Sequence, residues 1–432
     1  HMNLQEQYNQ KLISLDSLLE KVKSNDIILP ALAGCEPSGF LERLHEIDDR
    51  VNNVRVFNAL EFSTFPFQNP EKNIKNIHSM CYFFGKSSRN IHPLKRTSLL
   101  PCHFRNFSKW VLEDKKPNIF IASVTPMDRF GYFTMSLSLV YERPFLEAAD
   151  IVILEVNDKM PRVLGDNIIH ISQVDYIYEY SHNIVSVSTQ PVGEVEKKIG
   201  AYIADFIQDG DTFQLGIGDI PNAVAQSLKN KKHLGIHSEM LTEGMAELMK
   251  AGVVTNLKKK IHKGKTVSTF AFGSNNLYDF LNDNPAIAIL DGDYVNNPYI
   301  IAQNDNMISI NTTMQVDLTG QCCSESIGSR QYSGIGGQTD TVLGALMSKG
   351  GRSIIALPST TKDEKISKIT PFLTTGAAVT LSRNDVDYIV TEYGVAKMRG
   401  QTVAERAQNL IAIAHPKFRK ELAQQAEQLQ IW

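Results

Sequence analysis

Short apolar segments recur along this chain, and longer stretches with helical periodicity separate them. Six of these segments are DIILPAL (26–32), NIFIASV (118–124), DIVILEV (150–156), TFQLGIG (212–218), SIIALPS (353–359) and YIVTEYG (388–394). Brief apolar runs without polar alternation are typical of strands buried on both faces of a parallel sheet, whose crossover connections are helices. The pattern therefore predicts an α/β fold.

The order of these elements repeats within the chain. NDIILPALAGCEPSGFLERL (25–44) parallels GDTFQLGIGDIPNAVAQSL (210–228), because each predicts a strand, a glycine-containing turn and a helix that starts near a proline. ADIVILEVN (149–157) parallels VDYIVTEYG (386–394) in the same order, at a greater separation in the second half. The repeat predicts two related open α/β domains, of which the second carries additional elements.

The length of 432 residues fits two domains, since one domain usually takes roughly 100–200 residues. The polar segment SVSTQPVGEVEKK (186–198) contains Pro191 and precedes a predicted helix. We therefore predict an N-terminal domain over 2–190 and a C-terminal domain over 191–432. His1 is excluded because His-Met at the start resembles a cleavage scar.

Composition narrows the functional classes. The net charge of -3 offers no broad basic surface for nucleic acid. No apolar run is long enough to span a membrane, and no secretory leader pattern opens the chain, so we expect no membrane partner and a cytoplasmic location. The five cysteines have irregular spacing without a Cys-x-x-Cys pair, and the histidines show no ligand spacing, so neither a disulfide framework nor a metal site is predicted.

Two glycine-containing segments could approach a ligand. LGIGDIPNAV (215–224) predicts a strand, a Gly-x-Gly turn and a helix, whose free N–H groups favour phosphate or a developing oxyanion. Pro221 replaces the third glycine of the dinucleotide fingerprint, so a tight strand–helix connection remains the alternative. SGIGGQTD (333–340) has three glycines before a predicted helix over 339–347, which indicates a mobile loop or backbone amides that face a ligand.

Glu239 is the acidic residue of LGIHSEM (234–240), where a predicted strand ends. From the residues alone it has two interpretations. It could be a glutamate near the start of the next helix, where the helix dipole favours a carboxylate. Alternatively, it could be a nucleophile. The helix after Thr402 is clearer, because Thr402 and Glu405 predict a capping box before RAQNLIAIA.

Several motifs in order resemble one known family. QLGIGDIPNAV, HLGIHSEM, SGIGGQTD, IIALPS, KITPF and VTEYGVAKMRG…RAQNLIAIAHPKFR are similar to the acetyl-CoA hydrolase/transferase family of class I CoA-transferases, nearest to its 4-hydroxybutyrate and butyryl-type members. The resemblance runs from the first strand to the last helix and is densest over 192–423. It implies two open α/β domains with the active site in the cleft between them.

The resemblance implies that Glu239 is the nucleophile. Its carboxylate would attack an acyl-CoA carbonyl to give a mixed anhydride, and the CoA thiolate would convert that anhydride into a glutamyl-CoA thioester. A carboxylate with an ordinary pKa is ionised at pH 7, so we expect neither a metal nor a general base to be required.

The resemblance also assigns ligand contacts. It implies that CoA binds beside the first turn, that amides of the second glycine loop stabilise the thioester oxyanion, and that two further side chains approach CoA. The residues assigned in this way are Gly216, Ile217, Gly218, Asp219, Ile220, Gly334, Gly336, Gly337, Met314 and Lys368. No tightly bound cofactor is implied, since CoA or acyl-CoA is the substrate.

The implied reaction moves CoA between short-chain carboxylic acids such as acetate, butyrate, 4-hydroxybutyrate or itaconate-like diacids, in a homo-oligomer (dimer or tetramer). The segment 59–104 departs most from the family, so the acid is left open. An acyl-CoA hydrolase on the same scaffold is the main alternative, and a silent CoA-binding or nucleotide-binding module is another. A dinucleotide-dependent oxidoreductase is disfavoured by Pro221.

Overall fold

A computed structural model describes residues 1–432. By its internal contacts the chain divides into two compact units: unit 1 is His1–Ser188 with Ser268–Tyr294, and unit 2 is Thr189–Val267 with Val295–Trp432. The predicted ranges, 2–190 and 191–432, place residues 268–294 in the C-terminal domain, whereas these residues belong to unit 1. As boundaries of independently folding domains they stay a prediction.

The strands are short and number twenty-four. They are β1 Ile27–Pro30, β2 Val54–Asn58, β3 Ile77–Cys81, β4 Thr97–Leu99, β5 Ile119–Val124, β6 Tyr132–Thr134, β7 Ile151–Val156, β8 Ile168–His170, β9 Tyr176–Glu179, β10 Thr212–Leu215, β11 Gly235–Ile236, β12 Met240–Leu241, β13 Thr266–Ser268, β14 Phe270–Ala271, β15 Ile287–Ile289, β16 Met307–Thr312, β17 Gln315–Asp317, β18 Cys322–Cys323, β19 Ser326–Ile327, β20 Arg330–Gln331, β21 Arg352–Ala356, β22 Ile369–Thr370, β23 Tyr388–Thr391 and β24 Gly394–Lys397.

Fifteen α-helices and several 3-10 turns connect the strands. The α-helices are α1 Leu4–Lys11, α2 Leu15–Glu20, α3 Ser38–Leu41, α4 Lys86–Ile91, α5 Lys109–Asp114, α6 Glu142–Ala148, α7 Glu194–Ala204, α8 Asp219–Gln226, α9 Glu243–Lys250, α10 Asn275–Leu281, α11 Gly292–Val295, α12 Pro298–Ile301, α13 Gln338–Met347, α14 Val403–Ile413 and α15 Pro416–Gln428. The 3-10 turns are Ala33–Cys35, Leu44–Ile47, Pro66–Gln68, His92–Leu94, Phe104–Asn106 and Ile171–Gln173. No helix combines the length and the apolar character that crossing a membrane requires.

Each unit contains one large parallel sheet. The sheet of unit 1 has seven strands in the order β4-β3-β2-β1-β5-β7-β9, all parallel. The sheet of unit 2 has six strands in the order β11-β10-β16-β21-β23-β24, and only β24 is antiparallel to its neighbour. The α/β fold with two units is thereby confirmed.

All six predicted apolar segments form strands of these two sheets. They contain β1, β5, β7, β10, β21 and β23. In unit 1 a single strand separates β1 from β7, whereas in unit 2 two strands separate β10 from β23. The additional strand between β10 and β23 agrees with the larger number of residues that separates the two matched segments in the second half of the chain.

The prediction misses β16, which lies at the centre of the unit 2 sheet. Its sequence MISINT places Ser309 and Asn311 inside an apolar run. Both polar side chains are buried and bonded: Ser309 Oγ lies 2.9 Å from Ser353 Oγ, and Asn311 Nδ2 donates to Thr341 Oγ1 at 3.0 Å. Buried polar groups with partners cost little, so a central strand can carry them.

Helices cover the sheet of unit 2. Helix α13 packs on β16 and β21, and α14 packs on β23 and β24. Thr402 caps α14 by accepting the N–H of Glu405 at 3.2 Å, as predicted. The reciprocal half of the capping box differs, because the Glu405 carboxylate accepts the Thr402 hydroxyl at 3.1 Å rather than its backbone N–H.

Candidate active site

Most of the site residues predicted from the sequence lie at the carboxyl edge of the unit 2 sheet. Gly216 follows β10, His237 follows β11, and Met314 lies two residues after β16. These three neighbouring strands are parallel, so the segments that follow them meet at one edge. Ligands of open α/β sheets bind at this edge, and the geometry therefore marks it as the candidate site.

Glu239 lies in the short segment between β11 and β12. Helix α9 begins at Glu243, and its N-cap is Thr242, whose hydroxyl accepts the N–H of Met245. Glu239 therefore precedes the cap by three residues and does not satisfy the helix end. The interpretation of Glu239 as a helix-terminal residue is wrong.

An asparagine of unit 2 bonds the Glu239 carboxylate, and a glycine of the same unit lies close against it. Asn296 Nδ2 donates to Glu239 Oε1 at 2.9 Å, and the Asn296 side chain is fully buried. A Cβ atom on Gly337 would lie 2.1 Å from Glu239 Oε1 and 2.2 Å from Asn296 Nδ2. Only glycine lets the backbone of the second glycine loop approach the carboxylate this closely.

The pKa of Glu239 is raised to about 7. Burial is the main cause, because it disfavours the charged carboxylate, and the nearby Asp340 carboxylate acts in the same direction. The hydrogen bond from Asn296 opposes both effects. The raised pKa means that a larger share of Glu239 is protonated at neutral pH than for a carboxylate with an ordinary pKa, which differs from the expectation.

His237 and Ser238 fasten the segment that carries Glu239. His237 Nε2 donates to the carbonyl oxygen of Val295 at 2.8 Å, next to Asn296 in the chain. Burial lowers the pKa of His237 to about 3, so the ring stays neutral and serves as a fixed donor. Ser238 donates its backbone N–H to Val267 O at 3.0 Å, and its hydroxyl lies 3.4 Å from Leu215 O.

The second glycine loop leads into α13. Gly336 has a φ of 53°, a left-handed conformation that a β-branched residue adopts only with strain. Gln338 begins the helix, and its role was open in the sequence. Its amide donates to Thr312 O at 2.8 Å, and its Oε1 accepts the Ser324 hydroxyl at 2.7 Å. Gln338 therefore joins this loop to the end of β16 and to the preceding polar loop.

The first glycine turn is open. Gly218 is the N-cap of α8 with a φ of 124°, and nothing would lie within 4 Å of a Cβ atom there. Ile217, Gly218 and Asp219 are exposed, and Ile220, the second residue of α8, is buried. The turn adjoins the Glu239 segment through the contact of Ser238 with Leu215 O.

Met314 and Lys368 lie at the same end of a small three-stranded sheet. Met314 immediately precedes β17, Lys368 immediately precedes β22, and these two strands are parallel neighbours. Both side chains are partly buried. Burial lowers the pKa of Lys368, and the carboxylates of Glu392 and Glu196 oppose that change.

The sequence prediction did not find Asn296. It lies in VNNPY (295–299), where Asn297 is the residue with a recognisable role, as the N-cap before Pro298. No spacing relates Asn296 to Glu239, which is 57 positions away. Elsewhere, no group of three or more His, Cys, Asp or Glu side chains is arranged to hold a metal ion, and all five cysteines are buried without a disulfide.

This chain is similar in sequence to known proteins and in fold to solved structures. Residues 1–188 match the family model "Acetyl-CoA hydrolase/transferase N-terminal domain", and residues 273–426 match "Acetyl-CoA hydrolase/transferase C-terminal domain". The 4-hydroxybutyrate coenzyme A transferase of Clostridium kluyveri is 45% identical over 98% of this chain and 98% of its own length. The succinyl-CoA:cyclohexane-1-carboxylate CoA transferase of Geobacter metallireducens is 42% identical over 98% of this chain and 97% of its own length.

A solved structure has the same fold over the whole chain. The crystal structure of RipA from Yersinia pestis superposes with a TM-score of 0.94 at 37% identity, and each chain covers 100% of the other. Relatives named as hydrolases are more distant. The acetyl-CoA hydrolase of Yarrowia lipolytica is 26% identical over 73% of this chain and 67% of its own length.

Proposed function

The chain belongs to the acetyl-CoA hydrolase/transferase family and is a CoA-transferase, and from this premise we propose that it moves CoA between short-chain carboxylic acids through a glutamyl-CoA thioester at Glu239. The observation that supports the proposal best is the Glu239 carboxylate between Asn296 and Gly337, at the carboxyl edge of a parallel sheet. The lower identity of the hydrolases makes hydrolysis the second candidate.

The proposed reaction splits one acyl exchange into matched steps. A Glu239 oxygen attacks the thioester carbonyl of acyl-CoA, the C–S bond breaks, and CoA leaves as a thiolate while a mixed anhydride forms. The thiolate then attacks the glutamyl carbonyl, which releases the first carboxylate and leaves a glutamyl-CoA thioester. An incoming carboxylate reverses the two steps, and Glu239 is regenerated with a new acyl-CoA.

The surroundings of Glu239 suit this chemistry. Asn296 holds Oε1 and leaves Oε2 without that donor, so one oxygen is oriented and the other is available for attack. Burial makes the ionised carboxylate more basic than one in water, and basicity increases nucleophilic strength. We propose that backbone amides of Gly334, Gly336 and Gly337 stabilise the oxyanion that forms on the attacked carbonyl.

Binding of CoA is proposed for the two remaining groups of residues. The Gly216 N–H donates to Ile310 O at 3.0 Å, so the N–H groups that follow it in the turn, at the start of α8, are the ones proposed to face an anion. Met314 and Lys368 lie together at one end of the β17–β22 pair. CoA enters and leaves as a substrate, so we propose no tightly bound cofactor. No metal ion takes part in the proposed steps.

For the carboxylic acid substrate we propose a chemical class, the short-chain acids. The relative at 45% identity is named for 4-hydroxybutyrate, and butyrate, acetate and itaconate-like acids are the other short-chain candidates. The divergent segment 59–104 lies in unit 1, and its influence on this choice is untested. A homo-oligomer (dimer or tetramer), which the family resemblance implies, and a cytoplasmic location are further parts of the proposal.

Donor and acceptor requirements test the proposal. Incubation with acyl-CoA alone should release little free CoA and should leave a CoA adduct on the peptide that contains Glu239, detectable by mass spectrometry. Adding a carboxylate should discharge the adduct, and steady-state kinetics should give the parallel lines of a ping-pong mechanism. Intersecting lines without an adduct would contradict transfer through Glu239, and CoA release at the same rate without an acceptor would indicate a hydrolase.

The pH dependence provides a separate expectation. Only ionised Glu239 can attack, and its pKa is about 7 in the free protein, so kcat/KM for acyl-CoA should rise with pH and level off above a midpoint near 7. Asn296→Ala removes the hydrogen bond that lowers this pKa and should move the midpoint to higher pH. Asn297→Ala is the matched control, because Asn297 bonds Tyr299 N instead. A profile that is already flat between about pH 5.5 and 8 would show that Glu239 has an ordinary pKa.

A further inference from the structure

Lys259 is a buried lysine beside the strand that leads to Glu239. Its side chain is 3% exposed, and its Nζ donates to Ile236 O at 2.9 Å and to Lys265 O at 2.7 Å. No carboxylate lies within ion-pairing distance of it. An ammonium group with no counter-ion is expensive to bury, so its two carbonyl partners are the features that explain its position.

Lys259 supplements the sparse main-chain pairing on the outer side of β11. On one side β11 pairs with β10, through Phe213 and Ile236. On the other side Val267 of β13 forms an isolated parallel bridge at His237, so it contacts only the end of β11. The N–H of Ile236 donates to the Asn256 side chain at 2.9 Å, and its carbonyl accepts Lys259. Two side chains, Asn256 and Lys259, therefore hold the end of the strand together with the single bridge to Val267.

Gly235 makes room for this lysine. A Cβ atom on Gly235 would lie 2.7 Å from Lys259 Cγ and 3.1 Å from Cδ. The aliphatic stem of Lys259 therefore crosses β11 in the space that a side chain at position 235 would fill. The Cβ atom would also lie 2.9 Å from Thr212 Oγ1, so Lys259 and Thr212 together explain the glycine of LGIHSEM.

We propose that Lys259 is a positioning residue for the nucleophilic segment. By joining the carbonyl of Ile236 to that of Lys265, it sets the direction in which the chain leaves β11, three residues before Glu239. That direction decides whether the carboxylate reaches Asn296 and Gly337. The inference rests on the proposed role of Glu239 as nucleophile.

The connection does not require a charged lysine. Burial lowers the pKa of Lys259 to about 7. The ammonium group has three N–H donors and the neutral amine has two, so both forms can bond two carbonyls. A side chain of similar shape without a donor loses both bonds at every pH.

The test is the rate of CoA-adduct formation in a single turnover, measured with saturating acyl-CoA and no acceptor. Lys259→Met keeps the stem and removes the donor, and it should slow adduct formation by about 10- to 100-fold, the effect of misplacing a nucleophile by about 1 Å. KM for acyl-CoA should change by less than about threefold, because CoA contacts are untouched. Lys11→Met is the matched control, since Lys11 also bonds two backbone carbonyls, of Ile171 and Val174, and should leave the adduct rate unchanged.

A second variant keeps the test decisive if Lys259→Met does not fold. Gly235→Ala should displace the lysine stem and reproduce the slow adduct formation, and its effect should be smaller in a Lys259→Ala background, where the stem is absent. A folded Lys259→Met or Gly235→Ala protein with the wild-type adduct rate would overturn the positioning role. If wild-type protein forms no adduct, the proposed function fails instead, so the two failures are distinguishable.

Discussion

Glu239→Gln should abolish the CoA adduct and lower transfer by roughly 1000-fold or more, since an amide cannot form the anhydride. Glu239→Asp should also be impaired, by about 100-fold, because the carboxylate withdraws by one methylene and loses its position against Asn296 and Gly337. Both variants are assayed for adduct by mass spectrometry and for transfer with a carboxylate acceptor. Glu247→Gln, an exposed glutamate on α9, is the matched control and should retain activity.

The same substitution has an expected effect on stability. The pKa of Glu239 is raised in the folded state above the ordinary value of 4.5, so the stability linked to its proton is present below about pH 4.5 and lost as pH rises through about 7. Glutamine does not titrate and avoids that loss. The Tm of Glu239→Gln should therefore exceed that of wild type at pH 8, and the difference should shrink at pH 5. Near-normal transfer, or a Tm difference that is independent of pH, would contradict the assigned environment of Glu239.

Gly337→Ala should reduce adduct formation by about 100-fold, because a Cβ atom there would lie 2.1 Å from Glu239 Oε1 and 2.2 Å from Asn296 Nδ2. The backbone of Gly337 has a φ of -100°, which alanine tolerates, so the effect comes from displacement of the carboxylate and not from backbone strain. Single-turnover adduct formation measures the displacement, and thermal unfolding measures the accompanying loss of stability, about 1–3 kcal/mol for overpacking.

Gly244→Ala separates the two effects. A Cβ atom on Gly244 would lie 2.7 Å from Ala225 Cβ, between α8 and α9, without approaching the carboxylate. This variant should lose stability while it keeps its adduct rate. Equal adduct rates in Gly337→Ala and wild type would show that the carboxylate has room to move without consequence, and the proposed constraint on Glu239 would be rejected.

Much of the fold could be predicted from local patterns. Continuous apolar runs identify β1, β5, β7, β10, β21 and β23, because strands buried on both faces need apolar side chains at every position. The central strand β16 escapes the same rule, since Ser309 and Asn311 find buried partners on distant segments. No local sequence pattern predicts that residues 268–294 belong to unit 1. Their assignment depends on contacts with residues that are distant in the sequence.

By itself the sequence determined the α/β class and, through the motifs around Glu239 and the glycine turns, the family and the candidate nucleophile. Only the tertiary structure decided how the candidate site is assembled: that Asn296 orients Glu239, that Gly337 is required by space, and that Lys259 lies under β11. It also decided the pKa of Glu239, which was expected to be ordinary. The physical reason is that strand formation depends on neighbours in sequence, whereas orientation, packing and desolvation of a carboxylate depend on groups 57 and more positions away.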